Sequence, residues 1–336
     1  YLMRNFATAS GKNKGQFYTP AEVSRIMAQV VGSGADTTPD QTIYDPTCGS
    51  GGLLLNCALQ LKEEGKEYRT LKLYGQEINL ITSAIARMNM FMHGIEEFQI
   101  VRGDTLARPA FLENDELKKF NVILANPPYS IKAWDRKSFE NDPYGRNIWG
   151  TPPQGCADYA FQQHIHKSIN EDNGRYAILW PHGILFRDME AEMRRNMINT
   201  DQIEAVIGLG ANLFYNSPME AMILVGNNNK PEERKGKILF IDGKDDVIES
   251  KGQAYLKQQH IEKLFKAFKD FTDIPHFSKV ATLEEVLTND GNMNISFYVE
   301  KKALKDELPF NEVYKQWELA GQDLKSSIEN LLEELK

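Results

Sequence analysis

The four residues Asn126-Pro127-Pro128-Tyr129 combine a polar amide, two rigid prolines and an aromatic ring, directly after the apolar run 122–125. An amino group on an aromatic ring is a weak nucleophile, because its lone pair is delocalised into the ring. If the Asn126 side-chain oxygen and the Pro127 carbonyl each accept one N–H, the nitrogen can become tetrahedral and direct its lone pair at an electrophilic methyl group. Tyr129 can stack on the ring that carries the amine. The pattern predicts methylation of a planar nitrogen with no metal ion, although a double proline can also simply end a strand.

A second candidate site is the glycine-rich segment from Asp45 to Gly52, which follows a short predicted strand and precedes a leucine-rich helix. Glycines in such a turn allow a ligand to approach the backbone closely. The turn by itself is compatible with a dinucleotide, a nucleoside or no ligand. It contains no Gly-Lys-Ser/Thr, so a phosphate-binding Walker loop is not indicated.

Carboxylates follow three successive predicted strands, at Asp45, Glu77 and Asp104. Each alone is more often a helix cap or a solvated side chain than a ligand. Together they favour a cofactor site, in which Glu77 can accept hydrogen bonds from ribose hydroxyls. Carboxylates suit a cofactor that carries an amine and a sulfonium and has no phosphate.

Short apolar runs alternate with stretches of helical spacing, which predicts an α/β fold with a mostly parallel sheet covered on both faces. The predicted strands are 41–44, 71–75, 98–101, 120–125, 175–180, 203–208, 221–225 and 237–241. The predicted helices are 51–62, 79–92, 157–169 and 188–199. Ligands in such folds bind at the carboxyl ends of the strands, where the motifs above fall. Upstream, Thr19, Pro20 and Glu22 predict a helix start with Thr19 as N-cap and Pro20 as the first helical residue.

The bulk composition indicates a globular protein with a full core: 336 residues, of which 41% are hydrophobic. Its three cysteines, Cys48, Cys57 and Cys156, have neither zinc nor disulfide spacing, and no apolar run reaches the ~18 residues of a membrane span. We therefore predict a cytoplasmic protein without structural metal. The net charge of −8 argues against a protein that binds nucleic acid over its whole surface. Local basic residues or a partner subunit would have to hold it; the local candidates are Lys12, Lys14, Lys132, Arg136 and Lys137.

The predicted organisation has three parts. Residues 1–35 form a cofactor-closing segment and helix at the end of a helical domain that would precede them. Residues 36–245 form the catalytic domain, and 246–336 form a mainly helical extension. An apolar stripe from Val313 to Leu335, spaced by three and four residues, predicts a long amphipathic helix there. Such a helix either packs on its own domain or docks another subunit.

With these motifs in view, the chain resembles the modification (methylase) subunit of type I restriction-modification systems, a family of N6-adenine DNA methyltransferases. The likeness extends over nearly the whole chain. The segments that carry it are Gly15-Gln16-Phe17-Tyr18-Thr19-Pro20, the Asp45 to Gly52 loop, Glu77, Asp104, Asn126 to Tyr129, Asn294-Ile295-Ser296 and Tyr298-Val299.

The resemblance implies a Rossmann-like methyltransferase fold and S-adenosylmethionine as cofactor. It assigns catalysis to Asn126, Pro127 and Tyr129, and stacking on the target base to Tyr129 and Phe214, although by pattern alone Phe214 is equally a candidate for the core. The implied cofactor-binding residues are Gln16, Phe17, Tyr18, Thr19, Pro20, Ala21, Asp45, Gly49, Ser50, Gly51, Gly52, Glu77 and Asp104. The implied partners are double-stranded DNA with a flipped adenine, a specificity subunit, a second methylase subunit and a restriction subunit. Ser217 to Glu220 departs from the expected small, Thr-containing run, which leaves the base pocket undefined.

Three alternatives remain open at this point. Release-factor glutamine methyltransferases also combine a glycine-rich loop with Asn-Pro-Pro-Tyr to methylate a planar amide nitrogen. A catalytically inactive scaffold could retain the fold, although intact Asn126, Tyr129 and Glu77 argue against it. An NAD-dependent oxidoreductase is the least supported alternative, since the sequence has no evident hydride-transfer site.

Overall fold

A computed structural model describes residues 19–32, 41–69, 71–214, 218–250, 253–301 and 310–334 of the chain. Contacts divide the chain into two compact units, Tyr1–Glu300 and Lys301–Lys336. Gln16, Phe17, Tyr18, Lys12 and Lys14 lie outside the described residues.

The larger unit is built on a nine-stranded sheet. Its strands are β1 (Thr42–Asp45), β2 (Lys72–Glu77), β3 (Phe98–Arg102), β6 (Val122–Ala125), β7 (Arg175–Pro181), β8 (Ile203–Leu209), β9 (Ala221–Asn227), β10 (Lys237–Gly243) and β13 (Ser278–Thr282). Two hairpins stand outside it, β4 (Leu112–Glu113) with β5 (Glu116–Leu117), and β11 (Ile248–Ser250) with β12 (Gln253–Tyr255).

The spatial order of the sheet is β13-β10-β8-β9-β7-β6-β1-β2-β3. β9 runs antiparallel to both β7 and β8, and β13 runs antiparallel to β10, while the other five neighbouring pairs are parallel. The carboxyl ends of β1, β2, β3 and β6 therefore meet at one edge. This is the edge where the sequence motifs were expected.

Helices cover both faces of the sheet. They are α1 (Ala21–Val30), α2 (Gly52–Glu63), α3 (Leu80–Met92), α4 (Arg136–Glu140), α5 (Asp158–Ser168), α6 (Ala191–Asn199), α7 (Gln258–Asp270) and α8 (Leu283–Thr288). One apolar cluster joins α1, α2, α3 and α7 to one face, and a second joins α4, α5, α6 and α8 to the other. Neighbouring strand residues alternate between the clusters, as Ile43 and Tyr44 do, because successive side chains point to opposite faces. The predicted three-layer α/β architecture is confirmed.

The predicted helix start at Thr19 is wrong by one residue. The N-cap position is occupied by Pro20, at φ −55° and ψ 142°, and no side chain caps the helix. Pro20 is buried, and its carbonyl accepts from the Ser24 N–H at 2.9 Å and the Ser24 hydroxyl at 3.1 Å. The Thr19 side chain is left available for a contact outside the helix.

The smaller unit contains helix α9 (Phe310–Glu334), in agreement with the predicted amphipathic helix. Val313, Trp317, Leu324 and Ile328 of its apolar stripe are 49–70% exposed. No helix in the described part of the chain is long and apolar enough to cross a membrane.

Candidate active site

Asn126 lies at the centre of the carboxyl edge of the sheet, one residue beyond β6. Its side-chain nitrogen donates to the Thr19 hydroxyl at 3.0 Å, and its side-chain oxygen accepts from the Tyr129 hydroxyl at 2.9 Å. Contacts at both ends fix the plane of the amide. Since each polar atom makes only one of these two bonds, the Asn126 oxygen retains a lone pair for an incoming N–H.

Tyr129 is half-buried, with its ring centroid 6.3 Å from that of Trp180. Burial, and secondarily the negative charge of Asp158, raises the pKa of Tyr129 above its ordinary value. The phenol therefore stays protonated and acts as a donor to Asn126. Pro127 is buried at the turn, where its ring restricts the backbone that carries the second expected acceptor.

The glycine-rich turn between β1 and α2 is held by backbone contacts. Gly49 and Gly51 have φ of +53° and +81°, conformations that side-chain-bearing residues rarely adopt. The Cys48 N–H donates to the Gln76 carbonyl at 2.9 Å, and Asn89 donates to the Ser50 carbonyl at 2.9 Å. The turn is thereby attached to both β2 and α3.

Among the described residues, space lies open over this turn. A Cβ built on Gly49 or Gly52 has no heavy atom of the described structure within 4 Å, whereas one built on Gly51 approaches the Met90 methyl at 2.7 Å. Gly51 is thus required for packing against α3, while Gly49 and Gly52 face open space. A cofactor can approach the backbone at those two positions.

Two buried carboxylates flank the turn. Glu77 accepts from the Gly49 N–H at 3.0 Å and from the Asn79 N–H at 2.8 Å. Burial raises the pKa of Glu77, and these two backbone bonds lower it. Asp45 accepts from the Thr47 N–H at 2.9 Å, yet burial, with a smaller contribution from the charge of Glu77, raises its pKa to about 8. A cationic ligand at this position would find acidic groups already desolvated.

Asp104 is exposed beyond β3, and one of its oxygens accepts from the N–H groups of Leu106 and Ala107, at 2.9 and 3.2 Å. The loop that it begins is anchored to the glycine-rich turn, because the Thr105 hydroxyl donates to the Pro46 carbonyl at 2.5 Å. The second carboxylate oxygen of Asp104 is therefore carried on a fixed loop beside the candidate cofactor site.

Comparison with known proteins identifies the family of this chain. The family described as N-6 DNA methylase matches residues 1–307. The chain belongs to the N-6 DNA methylase family. It is 35% identical to the methylase subunit of the type I restriction enzyme MjaVIII of Methanocaldococcus jannaschii, over 94% of this chain and 55% of that subunit. It is 31% identical to the methylase subunit of the type I enzyme MpnII of Mycoplasma pneumoniae, over 100% of this chain and 63% of that subunit.

The crystal structure of the type I restriction-modification methyltransferase subunit from Streptococcus thermophilus superimposes with a TM-score of 0.81 at 35% identity. The match covers 89% of this chain and 62% of that one. The expected methyltransferase fold is thereby confirmed. The chain spans between about half and two thirds of the length of these relatives.

Most of the site residues expected in this N-6 DNA methylase lie together at the carboxyl edge of the sheet. Asn126, Tyr129 and Thr19 form one hydrogen-bonded group, and the glycine-rich turn with Glu77 forms a second. Gln16, Phe17 and Tyr18 lie outside the described residues, so their contact with the cofactor stays a prediction. Ala21 is the exposed first residue of α1, and its contact with the cofactor stays a prediction.

Phe214 is 4% exposed and belongs to the apolar cluster that also contains Leu209 and Leu213. Stacking on a base would require the Phe214 ring to leave this cluster, so its stacking role stays a prediction. Among the expected basic residues, Lys132 and Lys137 are exposed, whereas Arg136 donates to the Pro152 carbonyl at 2.9 Å and pairs with Glu140.

Three features of the site were not foreseen from the sequence. Cys156, which is distant along the chain, lies 3.9 Å from the Ser130 hydroxyl, but burial raises the pKa of its thiol to about 12 and keeps it from acting as a thiolate. Arg146 is fully buried beneath the Asp104 loop. Asp158 lies behind Tyr129 and contacts Ser130. None of these residues has a spacing that links it to the motifs it supports.

Proposed function

We propose that this chain is the catalytic part of a cytoplasmic DNA methyltransferase that transfers the methyl group of S-adenosylmethionine to N6 of adenine, as modification subunit of a type I restriction-modification complex. The observation that carries the proposal is the Asn126 amide, fixed at both ends at the sheet edge that also carries the glycine-rich turn. Family membership supports the choice of adenine in DNA.

The cofactor would lie over the glycine-rich turn. Open space above Gly49 and Gly52 fits a ligand at the backbone, and the Glu77 carboxylate beside Gly49 fits ribose hydroxyls. Asp104 would contact the adenine ring, and residues 16–21 would close over the site. When bound, S-adenosylmethionine supplies an electrophilic methyl group on a sulfonium.

The side chains of the chain itself orient the acceptor. Asn126 accepts one N–H of the adenine amine through its side-chain oxygen, and the Pro127 carbonyl accepts the other. These two bonds draw the lone pair out of the ring system and stabilise the positive charge that develops on nitrogen. Tyr129 stacks on the base while its hydroxyl remains bonded to Asn126. The nitrogen releases one proton to water after the transfer.

Partners complete the proposed enzyme. Because adenine is stacked inside a duplex, the base has to be flipped out to reach Asn126. The chain has a net charge of −8, and Lys132 and Lys137 are exposed cations near the site. Because two cations supply few phosphate contacts, we assign most of the contacts with DNA to a specificity subunit. A second methylase subunit and a restriction subunit would complete the complex.

A methylation assay with Asn126→Ala tests the proposal. The chain, with and without a specificity subunit from the same genome, is incubated with labelled S-adenosylmethionine and either duplex DNA or a release factor. We expect N6-methyladenine in DNA, and a loss of at least ~100-fold in turnover for Asn126→Ala with cofactor binding retained.

The matched control is Asn141→Ala, which removes the same side chain from an exposed position at the end of α4. Label in a glutamine side chain of the release factor would support the alternative methyltransferase class. Near-normal turnover of Asn126→Ala would contradict the mechanism, and no transfer by any preparation would favour the scaffold.

A further inference from the structure

A buried carboxylate lies directly behind the catalytic segment. Asp158, the first residue of α5, is 0% exposed, and one of its oxygens accepts the Ser130 N–H at 2.7 Å. Ser130 is the residue immediately after Tyr129. A hydrogen bond to a buried carboxylate is stronger than one between neutral groups, so this bond fixes the backbone at the end of the catalytic tetrapeptide.

The backbone that Asp158 holds is strained. Ser130 has φ of +51°, in the left-handed region that residues with a Cβ adopt only at a cost in free energy. Without a compensating contact, the turn after Tyr129 would relax toward ordinary backbone conformations. The Asp158 bond is a contact that can offset this cost.

Asp158 is itself held in place. Its second oxygen accepts from the Arg187 guanidinium at 2.6 Å, and Arg187 also donates to Glu190 at 2.6 Å. The Arg187 carbonyl in turn accepts from Arg194 at 3.0 Å. The carboxylate therefore has a charged partner that compensates its burial, and its orientation is determined by both oxygens.

We propose that Asp158 is a positioning residue for methyl transfer: by holding Ser130 in the left-handed conformation, it keeps the Tyr129 hydroxyl on the Asn126 oxygen. The inference rests on the proposed function. The direction of the turn decides where the Tyr129 ring lies, and through the 2.9 Å bond between the two side chains it also decides the plane of the Asn126 amide. Asp158 acts through the backbone and does not touch the substrate.

A purely structural role makes a different prediction, and Ser130→Gly separates the two. Glycine adopts positive φ without the penalty that serine has, so it lowers the need for the Asp158 bond. If Asp158 acts through the turn, Ser130→Gly restores activity to an Asp158→Ala protein. If Asp158 only stabilises the α5 region, the same substitution restores nothing.

The experiment is a double-mutant cycle on Asp158→Ala and Ser130→Gly, in the preparation that shows methyl transfer. For Asp158→Ala we expect turnover to fall ten- to a hundredfold, with the dissociation constant for S-adenosylmethionine within about threefold of the parent. Turnover of the double variant should be at least about fivefold higher than that of Asp158→Ala. Equal losses with serine and glycine at position 130, or no loss at all, would overturn the proposal.

Asp158→Asn provides a second comparison if the alanine variant does not fold. The amide keeps an oxygen for the Ser130 N–H but has no charge for Arg187, so we expect its turnover to lie below that of the parent and to rise when it is combined with Ser130→Gly. No rise in that combination would count against the proposal.

Hydrogen–deuterium exchange over residues 127–133 reports on the turn without any turnover. We expect protection in the parent and faster exchange in the Asp158 variants. Absence of methyl transfer by the parent would refute the proposed function, while exchange would still test the turn. Unchanged exchange in the Asp158 variants would refute the role of Asp158 alone.

Discussion

The Asn126 amide owes its fixed plane to two hydroxyl groups on opposite sides, that of Thr19 and that of Tyr129. Thr19 reaches Asn126 across 107 positions of sequence, and it is placed there by the buried Pro20 and the buried face of α1. A residue before proline favours an extended backbone, which keeps the Thr19 side chain off the helix end. The segment expected to close over the cofactor thus also contacts the amide that we propose to be catalytic.

Replacing Thr19 with valine tests this contact. Valine keeps the shape but has no acceptor, so the Asn126 side-chain nitrogen loses its partner, and turnover should fall about tenfold, as expected for one hydrogen bond of ~1.4 kcal/mol. Thr19→Ser keeps the hydroxyl and should recover most of the loss. Steady-state kinetics with varied cofactor separates the outcomes, because a rise in cofactor dissociation constant with unchanged turnover would contradict the orienting role.

Asp45 is the residue whose ionisation should govern the pH dependence of stability near the cofactor turn. Its folded-state pKa is about 8, well above the ordinary ~3.9 of the unfolded chain. Between these values the folded protein retains a proton that the unfolded chain has released. The free energy of unfolding should therefore fall as pH rises through this window, and the contribution should level off above about pH 8.

Asp45→Asn removes this contribution, because asparagine resembles the protonated acid and does not titrate. Urea unfolding of both proteins without cofactor, at pH values of about 5, 6.5 and 8, gives the comparison. As pH rises from about 5 to about 8, we expect the free energy of unfolding of Asp45→Asn minus that of the parent to increase by at least ~2 kcal/mol. Glu77 is present in both proteins, so parallel pH curves would show that Asp45 is not the group responsible.

At the scale of the elements, hydrophobic pattern was enough to predict eight strands and six helices, among them α1 and α9, because both faces of the sheet are covered and the central strands are continuous apolar runs. β13 was missed. It is an edge strand, and its sequence Ser278-Lys279-Val280-Ala281-Thr282 is only partly apolar. The antiparallel direction of β9 was equally invisible, since strand direction depends on connections and not on the residues of the strand.

The sequence was enough to predict that the loops at the strand ends form a site, but not which distant side chains hold those loops in place. Arg146 donates to the Thr105 and Leu106 carbonyls at 2.9 and 2.7 Å, and its charge is balanced by Asp142 at 2.6 Å. It holds the Asp104 loop from beneath. Backbone carbonyls are present at every position, so no pattern in the sequence identifies those that a distant arginine will bind. The Asp158 contact with Ser130 escapes prediction for the same reason.

At the scale of the whole molecule, both the acidic net charge and the C-terminal helix α9 lead us to expect a partner subunit. A chain of net charge −8 gains little from contacts with DNA phosphates. Tight binding to DNA therefore requires contacts made by a partner subunit. α9 carries Trp317 and Leu324 seven residues apart, on one face of the helix. An apolar stripe along an amphipathic helix is suited to packing against a partner. We therefore expect α9 to dock the specificity subunit.

Fluorescence anisotropy with labelled duplexes, with and without the specificity subunit, tests whether DNA binding needs this partner and whether α9 docks it. The chain alone should bind DNA weakly and without sequence preference, whereas the complex should bind one sequence tightly. Trp317→Glu with Leu324→Glu should abolish complex formation and sequence-specific binding but retain cofactor binding.

Gln322→Glu is the matched control, because it adds a negative charge about 140° around α9 from Trp317. That variant should still form the complex, since a charge on the polar face meets solvent and not the partner. Tight sequence-specific binding by the chain alone would refute the need for a partner. Complex formation by the double variant would instead move the docking surface away from α9 and leave the apolar stripe for contacts within the subunit itself.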